Sequence, residues 1–228
     1  MRDPDGKRDA ELTNLLKACV RLICKSESST AFAIKGRNWL IEIGDLLHDA
    51  FPNAKNLFLY RDAISWSNSL QRVYEQNNID YHSPATQLGI AQLFSHLHPL
   101  FTKYSPDNPS ISDASAVSWL SCLHRYLELH KKGIPFLAIR YEDLNAQRER
   151  TTKVILEYCA VDTSHVNLVL KVFEHDSQAG TVLARDNPKE SHKPSMSAEH
   201  QERICEILQQ HPIIKTPDFT VPGTSELQ

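Results

Sequence analysis

The chain has no run of about 18 apolar residues, the least that crosses a bilayer as a helix, so no membrane span is expected. It has no C-x-x-C pair, and its five cysteines (Cys19, Cys24, Cys122, Cys159 and Cys205) are odd in number and scattered. Four of them sit among apolar neighbours at helical spacing, which reads as buried thiols in a reducing compartment. An excess of one charge sign is also lacking. The 25 Lys and Arg stand against 28 Asp and Glu, a net charge of −3 that argues against a general nucleic-acid binder. There is no internal repeat and no low-complexity tract. The first eight residues are too polar for a signal peptide, so with Met1 as the start a cytoplasmic location is expected. What remains is ordinary: 228 residues, 41% hydrophobic and 23% charged, which excludes a disordered or collagen-like chain and suits a single domain over 1–228.

Periodicity orders the elements. Leu12, Leu15, Leu16, Cys19, Leu22 and Ile23 recur at three and four residues, an amphipathic helix. The run 31–34, ended by Lys35-Gly36-Arg37, reads as a buried strand, and Asn38 as the cap of a helix carrying Ile43, Leu46, Leu47 and Ala50. The second strand is expected at Leu57-Phe58-Leu59-Tyr60, with a helix over 63–76 behind it. Prolines 84, 99, 106 and 109 punctuate 77–113, read as a mostly helical insertion or lid. Val117, Leu120, Leu123 and Leu127 mark a longer helix that stops near Gly133, and 135–139 is the third strand. Helices near 154–159, 166–173 and 198–210 follow, with a loop at 175–197 and a tail over 211–228. Strands alternating with helices on short joints imply parallel pairing, the α/β class.

In open parallel sheets, ligands bind beyond the carboxyl ends of strands. Two strands here end in arginine, Tyr60-Arg61 and Ile139-Arg140, and Arg61 also precedes a helix amino terminus. A guanidinium fork beside free backbone N–H groups suits a phosphate. Ser65, Ser69 and Arg72, four and then three residues apart, share one face of that helix. The competing reading is a strand-end arginine paired with a carboxylate such as Asp62.

The stretch from Tyr60 to Leu70 resembles the 3′-phosphate-binding motif of sulfotransferases that use 3′-phosphoadenosine 5′-phosphosulfate (PAPS). There an arginine ends a central strand and a serine follows eight residues later, the spacing of Arg61 and Ser69. Residues 51–57 resemble the lead-in to that strand, and Arg140-Tyr141-Glu142-Asp143-Leu144 matches the family's "RYEDL" segment. Residues 176–181 and Val221-Pro222-Gly223-Thr224 are similar to stretches in some members. The resemblance implies a three-layer α/β/α fold with a short parallel sheet, like a truncated sulfotransferase core. It implies Arg61 and Ser69 on the 3′-phosphate, Tyr141 near the adenine, and Arg185 in a basic loop over the phosphate. The implied activity is transfer of a sulfuryl group from PAPS, as co-substrate, to a hydroxyl of a carbohydrate or small molecule.

The family also needs a lysine- and hydroxyl-bearing loop for the 5′-phosphosulfate, well before the Arg…Ser motif. Only sixty residues precede Arg61, and the hydroxyl-rich 25–30 carries Glu27 and no glycine, so it reads as a connecting loop. Cytosolic members place a general-base histidine two residues after a lysine. Lys35 fits the lysine and by the resemblance joins the nucleotide site at the sulfuryl group, but Arg37 stands at the histidine's place and cannot act as a base near pH 7. No base is identified. The alternative is therefore a non-catalytic sulfotransferase-like protein, truncated or serving as a nucleotide-binding or scaffold module. His82, His96 and His98 lack a carboxylate or cysteine at ligand spacing, so no metal is expected, and His124 and His130 read as surface residues.

Overall fold

In the computed structural model of the protein, the described residues are 5–26, 31–76, 80, 83, 86, 110–176, 179 and 196–225, without the side chains of 74–76. The longest helix organises them. It spans Ile111–Lys131 and is labelled α4, after α1 (Asp9–Ile23), α2 (Gly44–Ala50) and α3 (Ala63–Gln76). A capping box starts α4: the Ser110 hydroxyl accepts from the Asp113 amide at 3.1 Å, and the Asp113 carboxylate accepts from the Ser110 amide at 2.7 Å. The stretch assigned to the insertion thus gives way to helix at Ile111 rather than after Asp113. Every residue from Ile111 to Leu123 is buried, with Ala and Ser interleaved among the larger side chains so that neighbours approach closely. Gly133, at φ +80°, closes the helix where glycine was expected to stop it.

The sheet is small. β1 (Leu57–Tyr60) and β2 (Leu137–Arg140) pair in parallel, with Tyr60 opposite Arg140 at the carboxyl ends. β1 alternates: Tyr60 is buried, Phe58 stacks on Tyr126 at 4.5 Å, and Leu57 and Leu59 face outward. The far edge of β2 is closed by the carboxy-terminal segment. Ala138 N–H donates to the Gly223 carbonyl at 3.3 Å, and its carbonyl accepts from Ser225 N–H at 3.0 Å. The described residues therefore form a mixed α/β, mostly helical structure around one short parallel sheet.

Among the described residues four α-helices follow β2: α5 (Tyr141–Ala146), α6 (Arg148–Tyr158), α7 (Val166–Val172) and α8 (Ala198–Gln209). α8 packs along α4, burying Ile204, Ile207 and Leu208 with Leu120, Leu123 and Leu129. Each such side chain contributes about 1.5–3 kcal/mol when fully buried.

Four local expectations are corrected. Of the five cysteines only Cys122 is buried; Cys19 is exposed and Cys24, Cys159 and Cys205 are partly exposed, because their helices turn those positions away from the core. Residues 31–37 form no strand: among the described residues β1 and β2 pair with each other and, at Ala138, with the carboxy-terminal segment, and Phe32 and Ile34 are exposed. Asn38 is not a cap. It opens a 3-10 turn, Asn38–Ile43, whose capping position is Arg37 with no side-chain bond. His124 is not simply on the surface: its Nδ1 lies 2.9 Å from Nε2 of the fully buried His211. His211 Nδ1 accepts from the amides of Ile213 and Ile214. It therefore carries no proton, so Nε2–H donates to His124. His130 is exposed as expected.

Candidate functional site

The candidate site lies where β1 and β2 end side by side. Beyond Tyr60 the chain turns at Arg61-Asp62 into α3, and Asp62 is the reason. Its Oδ1 accepts from Ser65 N–H at 2.7 Å, an amino-terminal cap for α3. The Arg61 carbonyl accepts from the Trp119 indole N–H of α4 at 2.7 Å, and Ala63 N–H donates to the Pro217 carbonyl at 2.8 Å. The backbone under the arginine is thus fixed from two sides.

Because Tyr60 lies opposite Arg140, the next residues, Arg61 and Tyr141, fall side by side. The Arg61 guanidinium lies over the Tyr141 ring at 4.9 Å, a cation–π contact. Glu142 stands between the two strand-end arginines. Its Oε1 is 3.8 Å from Arg61 Nε and its Oε2 is 3.3 Å from Arg140 Nε. Oε1 also accepts from Asp62 N–H at 3.4 Å. These ion pairs are not hydrogen bonds: Arg61 Nε, Arg140 Nε and Glu142 Oε2 are all buried atoms with no hydrogen-bond partner. Three unsatisfied atoms in one cluster are unusual for a folded interior.

The two carboxyls differ. Burial would raise Asp62, but its hydrogen bonds from Ser65, the contact with Glu142 and the Arg61 charge outweigh this and hold it below the usual range. Burial raises Glu142, and its contact with Asp62 raises it further. Of the pair, Asp62 keeps the charge and Glu142 takes a proton first.

Beside Arg61 opens a cavity of about 200 Å³. Its walls are chiefly aromatic and apolar, with Phe58, Tyr60, Trp66, Trp119 and Tyr141 prominent, and Asn38 and Cys122 at one side. Burial pushes the Cys122 thiol up to about 12, so it lines the cavity as an inert group. An apolar, aromatic-walled recess with one cation at its edge suits a flat ring bearing an anionic group.

Of the five expected nucleotide residues, the structure brings Arg61 and Tyr141 together. Ser69 is half-buried on α3, about 9 Å along the helix from its first residue. Lys35 lies in the irregular, exposed segment 31–37 rather than at a strand end, and it does not line the cavity. Arg185 lies outside the described residues, as do His82, His96, His98 and Glu27 to Thr30 of the hydroxyl-rich segment. Asp62, the carboxylate set against Arg61 in the competing reading, caps α3, and the nearer ion-pair partner is Glu142. Glu142 and Trp119 were not singled out from the sequence. Glu142 had one signal, its place two residues after a strand-end arginine. Trp119 had none. Among the described residues, no group of three or more His, Cys, Asp or Glu is placed to hold a metal, and no helix is long and apolar enough to cross a membrane.

No protein-family model, curated protein or solved structure matches the chain.

Proposed function

We propose that this chain is a sulfotransferase-like protein whose strand-end site binds a 3′-phosphoadenosine nucleotide. The carrying observation is the parallel register that sets Tyr60-Arg61 beside Arg140-Tyr141, with an aromatic cavity adjoining Arg61. In this reading Arg61 donates to the 3′-phosphate, and Ser69, on the helix that starts beside it, adds a hydroxyl. Tyr141 supports the guanidinium and meets the base, while Arg185 is a secondary contributor. The sheet and its helices belong, on this view, to a three-layer α/β/α core. The reaction is transfer of a sulfuryl group from PAPS to an acceptor hydroxyl by in-line displacement, with release of 3′-phosphoadenosine 5′-phosphate.

A second reading is favoured by the position of Glu142 between the arginines. Here the cluster is a structural clasp across the strand ends, and the protein is a non-catalytic relative of the sulfotransferases. Calorimetric titration with 3′-phosphoadenosine 5′-phosphate separates the two. Loss of a charge-assisted contact worth about 1.5–3 kcal/mol weakens Arg61→Ala by roughly 10- to 100-fold. Equal binding by wild type and variant overturns the nucleotide site. Sulfuryl transfer from radiolabelled PAPS to a panel of hydroxyl acceptors then tests catalysis separately.

A further inference from the structure

The strand-end cluster holds two guanidiniums and two carboxyls, and its three unsatisfied atoms lie between Arg61, Arg140 and Glu142. With both carboxyls ionised the cluster is neutral, and a dianion entering it gains little. With Glu142 protonated it carries one positive charge, and the two arginine Nε–H groups face an uncharged neighbour.

We propose that Glu142 gates this site: in the free protein its carboxylate holds the place between Arg61 and Arg140, and an anion enters together with one proton that Glu142 takes up. The proposal rests on the strand-end cluster being an anion site. The proton comes from solvent and no covalent bond changes. Protonated Glu142 ceases to attract the guanidiniums and can donate its O–H to the Asp62 carboxylate, which stays ionised through its Ser65 cap. The other groups facing Glu142 do not supply the proton. Asp62 N–H is a fixed donor at 3.4 Å, and a guanidinium is a donor that keeps its protons in proteins. Tyr60, across the strand end, is raised by burial and hydrogen-bonded to Thr224 at 2.9 Å, so its phenol keeps its own proton. Asp143 follows on the same helix, its carbonyl tied by the Thr151 hydroxyl of α6 at 3.4 Å. Tyr141 lies against Arg61 through its ring face.

Sulfate is the probe, because it stays a dianion from pH 5.5 to 8 and contributes no protons of its own. Fluorescence of Trp66 and Trp119, which line the adjoining cavity, reads its binding at constant ionic strength. In wild type, sulfate affinity rises by up to about tenfold for each unit the pH falls, while Glu142 is ionised free and protonated in the complex. Glu142→Gln, a fixed mimic of the protonated form, binds at least about tenfold tighter than wild type at pH 8 and loses most of the pH slope. A wild-type affinity that does not change with pH overturns the gate, and that measurement needs no variant to fold. An unchanged slope in Glu142→Gln, or no sulfate binding by it, overturns the gate as well.

A parallel titration with 3′-phosphoadenosine 5′-phosphate separates this from the nucleotide reading. Arg61-dependent nucleotide binding with the same pH slope in wild type and Glu142→Gln defeats the gate alone. Proton-linked sulfate binding with no tighter binding of the nucleotide supports the gate and defeats the nucleotide reading.

Discussion

Two glycines with almost the same backbone and different surroundings allow the packing behind the site to be measured. Gly133 has φ +80° and Gly223 has φ +75°, so alanine at either position costs about 1–2 kcal/mol for the left-handed conformation alone. At Gly133 an added Cβ meets nothing within 4 Å. At Gly223 it meets the Tyr126 hydroxyl at 3.3 Å, closer than such contacts usually run. Tyr126 has no room to retreat. It is fully buried, its ring stacks on Phe58 at 4.5 Å, and its hydroxyl donates to the Pro222 carbonyl at 2.7 Å. Weakening that bond adds roughly 1 kcal/mol. The expected costs are therefore about 1–2 kcal/mol for Gly133→Ala and about 2–3 kcal/mol for Gly223→Ala. Urea unfolding monitored by tryptophan fluorescence measures both, with similar slopes and the lower midpoint for Gly223→Ala. Equal losses would show that the Tyr126 contact carries no weight and that the closure of β2 by the carboxy-terminal segment is loose.

Two further outcomes follow from the buried polar groups. Arg203 donates to Asp113 Oδ1 from Nε at 2.9 Å and from a terminal nitrogen at 2.7 Å, tying α8 to the start of α4. Asp113 is buried, so Arg203→Met leaves an uncompensated carboxylate and destabilises by about 2 kcal/mol, below the usual range because Arg203 itself is a third exposed. A double-mutant cycle with Asp113→Asn that returns no coupling would refute the pairing. Burial holds the Cys122 thiol at about 12, so iodoacetamide at pH 8 labels the exposed Cys19 in the native protein and reaches Cys122 only after unfolding. Equal labelling rates, read by mass spectrometry of the peptides, would contradict the burial that raises the Cys122 thiol.

The sequence was most legible where a signal is local and repeated. Helical periodicity located α1, α3 and α4, a helix was expected where α8 lies, and the two strands that run into arginine are both present. It was least legible where one pattern fits two environments. The apolar run 31–34 has strand composition, but a strand exists only if another strand's free backbone edge accepts it. Here the second edge of β2 is taken at Ala138 by the carboxy-terminal segment, 31–34 forms no ladder with either described strand, and Phe32 and Ile34 stay in solvent. His124 has the spacing of a surface residue, and its contact depends on His211, 87 positions away.

By itself the sequence determined that arginines would stand at two strand ends, one of them before a helix, because charge that halts an apolar run cannot enter the core. It also determined that Asp62 was available as a carboxylate beside Arg61. Only the tertiary structure decided which carboxylate lies between the arginines. The parallel register that puts Tyr60 opposite Arg140 carries Glu142 across 81 positions to Arg61, while Asp62 caps α3. Distance along the chain says nothing about such a meeting, since hydrogen-bonded register and side-chain packing set it, and the chemistry of the site follows from it.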